Sequence, residues 1–97
     1  MNQRQEITGA ELTAPAALKV TLRSLGNPDH GQDPSRPLYG VRNKTAKADS
    51  MAKASALCRA YIEENDLGAG NWAGGAVTDA TGKLVATVCY NGRVWRA

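Results

Sequence analysis

Residues 72–96 read WAGGAVTDATGKLVATVCYNGRVWR and contain two turn signals between extended runs. The first signal is Asp79–Gly82, which ends in a glycine where a positive φ is expected. The second is Asn91–Gly92, the dipeptide most typical of a two-residue hairpin turn. Because each turn reverses the chain within a few residues, this stretch predicts a three-stranded antiparallel meander.

An amphipathic helix is predicted upstream of the meander, over residues 48–66. Apolar side chains recur there at three- and four-residue spacing, namely Met51, Ala54, Leu57, Cys58, Tyr61 and Ile62. This spacing places them along one stripe of a helix. Thr45 or Asp49 can cap its start, and Gly68 follows it where a left-handed residue is expected.

The N-terminal half predicts two strands joined by a long loop. Residues 17–25 alternate apolar and polar side chains with period two, and residues 38–42 resume an extended pattern. Between them, residues 26–37 contain three prolines and two glycines, which predicts an exposed loop. Residues 1–14 carry no clean period and predict a disordered tail, so residues 15–97 form the predicted single domain.

We predict an α+β fold of β-β-α-β-β order, to which the second hairpin of the meander adds one more strand, with one helix packed on one face of an antiparallel sheet. A chain of 97 residues is long enough for one hydrophobic core, and 42% hydrophobic with 22% charged residues is typical of a globular domain. No apolar run reaches the roughly 18 residues of a membrane span, and no signal-peptide pattern opens the chain. We therefore expect a cytoplasmic protein that does not bind a membrane.

One face of the predicted sheet is a candidate contact surface. A two-residue turn at Asn91–Gly92 pairs Cys89 with Val94 and Val88 with Trp95, which directs Trp95 toward the helix. The opposite face then carries five candidate contact residues: Trp72, Val85, Cys89, Val94 and Arg96. An uncovered face with a tryptophan favours binding of a partner protein or a second copy, unless the tail or the long loop covers it. A register shift of one residue would move Trp72 to the core.

A second candidate site consists of basic residues near the predicted helix start: Arg42, Lys44, Lys47 and Lys53. Lysines and free N–H groups at a helix N-terminus attract anions, so this patch is a candidate for binding nucleic-acid phosphates. The alternative is a solvated surface. The net charge of +3 permits weak attraction to polyanions but identifies no partner.

The sequence offers little support for catalysis. Residues 68–73 have the letters of a dinucleotide fingerprint, but they follow a helix and open a strand, the reverse of the required order. His30 lies in the long loop and is interpreted as solvated, and no nucleophile motif accompanies it. Cys58 and Cys89 have no metal-ligand spacing and are expected to be reduced. We therefore predict no enzyme activity, no metal and no cofactor.

Two segments, DLGAGNWAGG at residues 66–75 and VATVCYNGRVW at residues 85–95, carry a family resemblance. In these segments the chain resembles small uncharacterised proteins of bacteria and their prophages. The resemblance implies a bacterial cytoplasmic context and transfers no catalytic or binding residue. From the residues themselves, we predict a small non-enzymatic interaction module that binds protein, with nucleic-acid binding as the alternative.

Overall fold

The computed structural model describes residues 5–97, which form an α+β fold. In chain order the helices and strands are α1 (Gly9–Thr13), β1 (Leu18–Leu22), β2 (Lys44–Ala48), α2 (Met51–Glu64), β3 (Gly75–Thr78), β4 (Leu84–Val88) and β5 (Val94–Arg96). The strands pair in the antiparallel order β2-β1-β3-β4-β5, and α2 packs against β1, β2 and β4. The predicted helix on one face of an antiparallel sheet is confirmed.

Helix α2 buries the stripe that its apolar spacing predicted. Its fully buried side chains are Ala54, Cys58, Tyr61 and Ile62. The helix starts after Ser50, whose Oγ accepts a hydrogen bond of 3.1 Å from the backbone N–H of Lys53. Ser50 is therefore the N-cap, rather than Thr45 or Asp49, because it is the extended residue that immediately precedes the first turn.

A glycine in β3 allows the helix to approach the sheet closely. A Cβ atom on Gly75 would lie 2.5 Å from the Sγ atom of Cys58 and 3.2 Å from Cζ2 of Trp72. A side chain at this position would collide with the Cys58 sulfur, so the backbone at Gly75 packs directly against that side chain of α2. Buried residues of the central strands, Val20, Val77 and Val88 among them, complete the core around this contact.

The last hairpin has a different register from the predicted one. The N–H of Cys89 bonds to the carbonyl of Arg93 at 2.8 Å, so three residues form the turn instead of two. Gly92 occupies its third position with φ of +92°, the left-handed conformation that favours glycine. As a result, Val88 lies opposite Val94, and Trp95 lies opposite Thr87. The predicted pairing of Val88 with Trp95 is wrong by one residue.

The second strand lies later in the chain than its extended pattern predicted. Residues 38–42 form a turn, in which the N–H of Val41 bonds to the carbonyl of Leu38 and Gly40 has φ of +81°. The strand that pairs with β1 is Lys44–Ala48, whose side chains are mostly exposed. Because β2 is an edge strand with lysines, its alternation of apolar and polar side chains is weak. The sequence pattern therefore did not identify this strand.

The start of the described chain is part of the fold, although a tail was predicted there. The N–H of Ile7 bonds to the carbonyl of Val94, the N–H of Arg96 bonds to the carbonyl of Gln5, and Ile7 is only 2% exposed. Helix α1 follows and packs against α2. The remainder of the predicted tail, residues 1–4, lies outside the described residues.

The long loop between β1 and β2 has a defined path, closed by a hydrogen bond of 3.0 Å from the N–H of Gly26 to the carbonyl of Arg36. Inside it, Oε1 of Gln32 accepts hydrogen bonds from the N–H of Asn27 and from Nδ2 of Asn71. The buried Asn71 thus ties the loop to the segment that follows α2.

Candidate functional site

One face of the sheet is free of helices in the part of the chain that the structure describes. Helix α2 packs against β1, β2 and β4 on the other face, and α1 packs against α2. We call the helix-free face the open face. Because side chains alternate along a strand, its residues are those whose neighbours in the chain are buried in the core.

The open face is crossed by a row of small or β-branched side chains that ends at a tryptophan. The register places Thr45, Thr21, Ala76, Thr87 and Trp95 opposite one another on β2, β1, β3, β4 and β5. Apart from the exposed Thr45, these residues are half-buried. The row therefore forms a flat surface without long side chains until it reaches the indole ring of Trp95.

Two lysines lie directly opposite each other next to this row. Lys19 on β1 pairs with Lys47 on β2, and both side chains are exposed. Within residues 5–97, neither lysine is in an ion pair with a carboxylate. Like charges at directly opposed positions of an antiparallel pair are unfavourable, so this arrangement costs a small amount of stability.

An open cleft of about 1190 Å³ adjoins the two lysines at the end of the sheet. Its lining comes from residues 15–19, residues 47–49, Lys53 of α2 and residues 78–82. The buried side chains of Leu18 and Ala48 contribute apolar surface, and Lys53 brings a third ammonium group to the lining.

Two carboxylates also line the cleft, on Asp49 and Asp79. The Oδ1 atom of Asp79 accepts hydrogen bonds from the hydroxyl and N–H of Thr81 and from the N–H of Lys83. These bonds, that of the Thr81 hydroxyl above all, lower the pKa of Asp79. The charge of Asp79 therefore stabilises the β3–β4 turn. Asp49 is exposed, and its carboxylate accepts no hydrogen bond within the described residues.

The structure retains only two of the five predicted contact residues on the open face. Val85 and Cys89 are half-buried and alternate with the buried Val88, as predicted. Val94 is 1% exposed and lies in the core opposite Val88. Arg96 lies opposite Ala86 on the helix side, where its guanidinium is 2.6 Å from the Glu11 carboxylate of α1. The shifted hairpin register explains both corrections, because a one-residue slip exchanges the two faces.

Trp72 is the third correction, since it is buried with 8% exposure. Its indole Nε1 donates a hydrogen bond of 3.0 Å to the carbonyl of Val88, and its ring lies 6.1 Å from that of Tyr61. Gly74, with φ of +98°, separates Trp72 from β3 and interrupts the alternation on which the prediction relied. The tryptophan of the open face is Trp95, which the sequence had placed in the core.

The predicted basic patch is divided by strand β2. Lys44 lies opposite Leu22 at the end of β2 away from α2, and the carbonyl of Arg42 accepts a hydrogen bond from the Tyr61 hydroxyl. Only Lys47 and Lys53 meet, at the cleft. Lys44 and Lys47 are three positions apart on one strand, so their side chains point to opposite faces of the sheet.

Lys19 is the cleft residue that sequence reasoning missed. Its polar position in the alternating run 17–25 identified it as a side chain outside the core. That pattern contains no information about the neighbouring strand, so the pairing with Lys47 could not be predicted from it.

No group of three His, Cys, Asp or Glu side chains in residues 5–97 is arranged to hold a metal ion. His30 is exposed in the long loop. Both cysteines are free thiols, and burial raises the pKa of Cys58 to about 12, which keeps it protonated at neutral pH. Within the same residues, no helix is both long and apolar enough to cross a bilayer.

The chain matches no protein-family model, no curated protein and no solved structure. The resemblance of residues 66–95 to small bacterial and prophage proteins therefore stays a prediction.

Proposed function

We propose that this chain is a non-enzymatic interaction module that binds a partner protein through the open face. The observation that carries the proposal is the cross-strand row from Thr45 to Trp95, a flat surface that no helix covers within residues 5–97. Sheet faces of this kind expose apolar area that a second surface can bury, and tryptophan is enriched among residues that dominate binding energy.

A protein partner suits this surface better than a nucleic acid. Sequence-independent binders of single strands stack successive bases on several aromatic rings, whereas the row provides one indole, at one end. The basic patch first considered for phosphate binding is also divided between two sheet faces by β2. Nucleic-acid binding is the alternative that a binding experiment distinguishes.

The test uses a bulky charge placed at the centre of the row. Thr21→Arg adds a long cation to the open face without entering the core, and Ala60→Arg adds the same group to the exposed surface of α2. Both variants and the wild type serve as bait in parallel captures from a lysate of the source organism. The captured protein is then purified and titrated against all three by calorimetry.

We expect the partner to bind the wild type and Ala60→Arg alike and to lose affinity for Thr21→Arg. Because salt only weakly affects the burial of apolar surface, the difference in affinity between Thr21→Arg and Ala60→Arg should persist at about 200 mM salt. Equal binding of all three proteins would contradict the proposal. So would binding of a single-stranded oligonucleotide whose affinity falls steeply between about 50 and 200 mM salt.

A fluorescence measurement locates the contact independently. The chain has two tryptophans, and Trp72→Phe leaves Trp95 as the only indole. Binding at the open face should shift the Trp95 emission to shorter wavelength as water is excluded from the ring. An unchanged spectrum at saturating partner would place the contact elsewhere.

A further inference from the structure

Three lysines from separate elements line the cleft, and each is in a locally unfavourable position. Lys19 and Lys47 face each other across β1 and β2. Lys53 lies in the first turn of α2, where the helix dipole disfavours a cation. Local rules of stability are most often broken at functional sites, and an anion in the cleft would relieve all three conflicts.

The cleft also has what an extended peptide needs. Pro15, Ala17 and Ala80 are exposed and provide apolar surface in the lining, which also includes the buried Leu18 and Ala48. The lining comes from the adjacent ends of β2, β1 and β3 in the order of the sheet, so an extended segment can cross the three strand ends in one line.

We infer that this cleft binds the carboxylates of an extended acidic segment of the partner protein, with Lys19, Lys47 and Lys53 as the cationic groups. The inference rests on the proposed function, because the acidic segment belongs to the same partner protein that binds the open face. The lysine pair adjoins the row at Thr21 and Thr45, so one partner can cover both surfaces.

The other charged groups of the cleft favour a peptide over a polynucleotide. Asp49 and Asp79 lie in the lining and would repel a backbone that carries a charge at every unit. A peptide can place its carboxylates opposite the lysines and neutral residues opposite the aspartates. Within residues 5–97, the lining contains no aromatic ring on which bases could stack.

The direct test titrates the protein with hexaglutamate and, as the neutral control, hexaglutamine, at about 50 mM salt, followed by amide chemical shifts. We expect hexaglutamate to shift the amides of Ala17, Ala48 and Ala80, and hexaglutamine to leave them unchanged. Equal shifts from both peptides, or none from hexaglutamate, would overturn the inference. An oligothymidylate that shifts the same amides at lower concentration would also overturn it.

Matched lysine variants test which charges are used. The double variant Lys19→Thr and Lys47→Thr should bind hexaglutamate about tenfold more weakly, the change that about 1.4 kcal/mol of binding energy produces. Lys44→Thr removes a lysine from the same strand but from the other sheet face, so its affinity should stay within about twofold of the wild type. Similar losses in the two proteins would show a non-specific charge effect and overturn the inference.

A charge reversal separates binding from folding. Lys47→Glu replaces the like-charge pair with an opposite-charge pair to Lys19, so its urea midpoint should equal or exceed that of the wild type. Hexaglutamate binding should nevertheless be lost. A Lys47→Glu protein that binds hexaglutamate as tightly as the wild type overturns the inference.

The two proposals fail in distinguishable ways. If Thr21→Arg abolishes partner binding while hexaglutamate shifts no amide, the open-face proposal is supported and the inference of an acidic segment in the cleft is overturned. If hexaglutamate occupies the cleft while Thr21→Arg binds the partner normally, the open-face proposal is the one that fails.

Discussion

The indole Nε1 of Trp72 lies 3.0 Å from the carbonyl oxygen of Val88 and donates a hydrogen bond to it. The bond joins a residue of the segment between α2 and β3 to the last residue of β4. The same ring packs at 6.1 Å from that of Tyr61 on α2. Trp72 thereby links α2 to β4.

Replacing Trp72 with phenylalanine should lower the free energy of unfolding by about 1 to 3 kcal/mol, because the hydrogen bond and part of the buried area are lost. Urea denaturation measures this change. Trp95→Phe is the control, and on the open face it should cost under about 0.5 kcal/mol. A larger loss for Trp95 than for Trp72 would mean that the two indoles have been assigned to the wrong sides of the sheet.

The contact between Gly75 and Cys58 can be tested with a double-mutant cycle. Gly75→Ala should destabilise the domain by about 1 to 3 kcal/mol, because the new Cβ would lie 2.5 Å from the Cys58 sulfur. In a Cys58→Ala background the sulfur is gone, so the same substitution should cost clearly less. Additive effects in thermal or urea melts would show that the two residues are not in contact.

The first described residues should contribute to stability. Ile7 is 2% exposed and its N–H bonds to Val94, so Ile7→Ala should cost about 2 to 4 kcal/mol. The neighbouring Thr8 is exposed and makes no side-chain capping bond, and Thr8→Ala is expected to leave the urea midpoint nearly unchanged. A negligible effect of Ile7→Ala would support the disordered tail that the sequence predicted.

The buried Cys58 thiol should make stability depend on alkaline pH. Burial raises its pKa from 9.0 to about 12, so the folded state holds this proton more tightly than the unfolded state. Its contribution is complete below pH 9 and declines as the pH rises toward 12, by up to about 1.4 kcal/mol per pH unit. The measurement is the difference in unfolding free energy between wild type and Cys58→Ala. A difference that stays constant across this range would contradict the assignment.

Much of the architecture follows from local sequence patterns. The three- and four-residue spacing from Met51 to Ile62 identified α2, because a helix of that period can bury only one stripe. The turn signals at Asp79–Gly82 and Asn91–Gly92 identified antiparallel pairing, because each brings the flanking runs side by side. Together they determined the α+β class.

These patterns could not predict which side chains lie on each face of the sheet. Period-two alternation shows which side chains share a face of the strand, but it does not show which face is toward the core. A change from a two-residue to a three-residue turn exchanges the two faces. Val94 and Trp95 are both apolar, so the short run 93–96 is compatible with either register. The observed register buries Val94 against Val88 and leaves Trp95 on the open face.

The sequence by itself therefore determined β1, helix α2 with its buried stripe and the antiparallel meander, which depend on contacts between residues close in the chain. Only the tertiary structure decided that Ile7 is buried, that Trp72 faces the helix and that Lys19, Lys47 and Lys53 line one cleft. These features bring together distant segments of the chain. Their geometry depends on how all the apolar surfaces are buried at once, which no local period encodes.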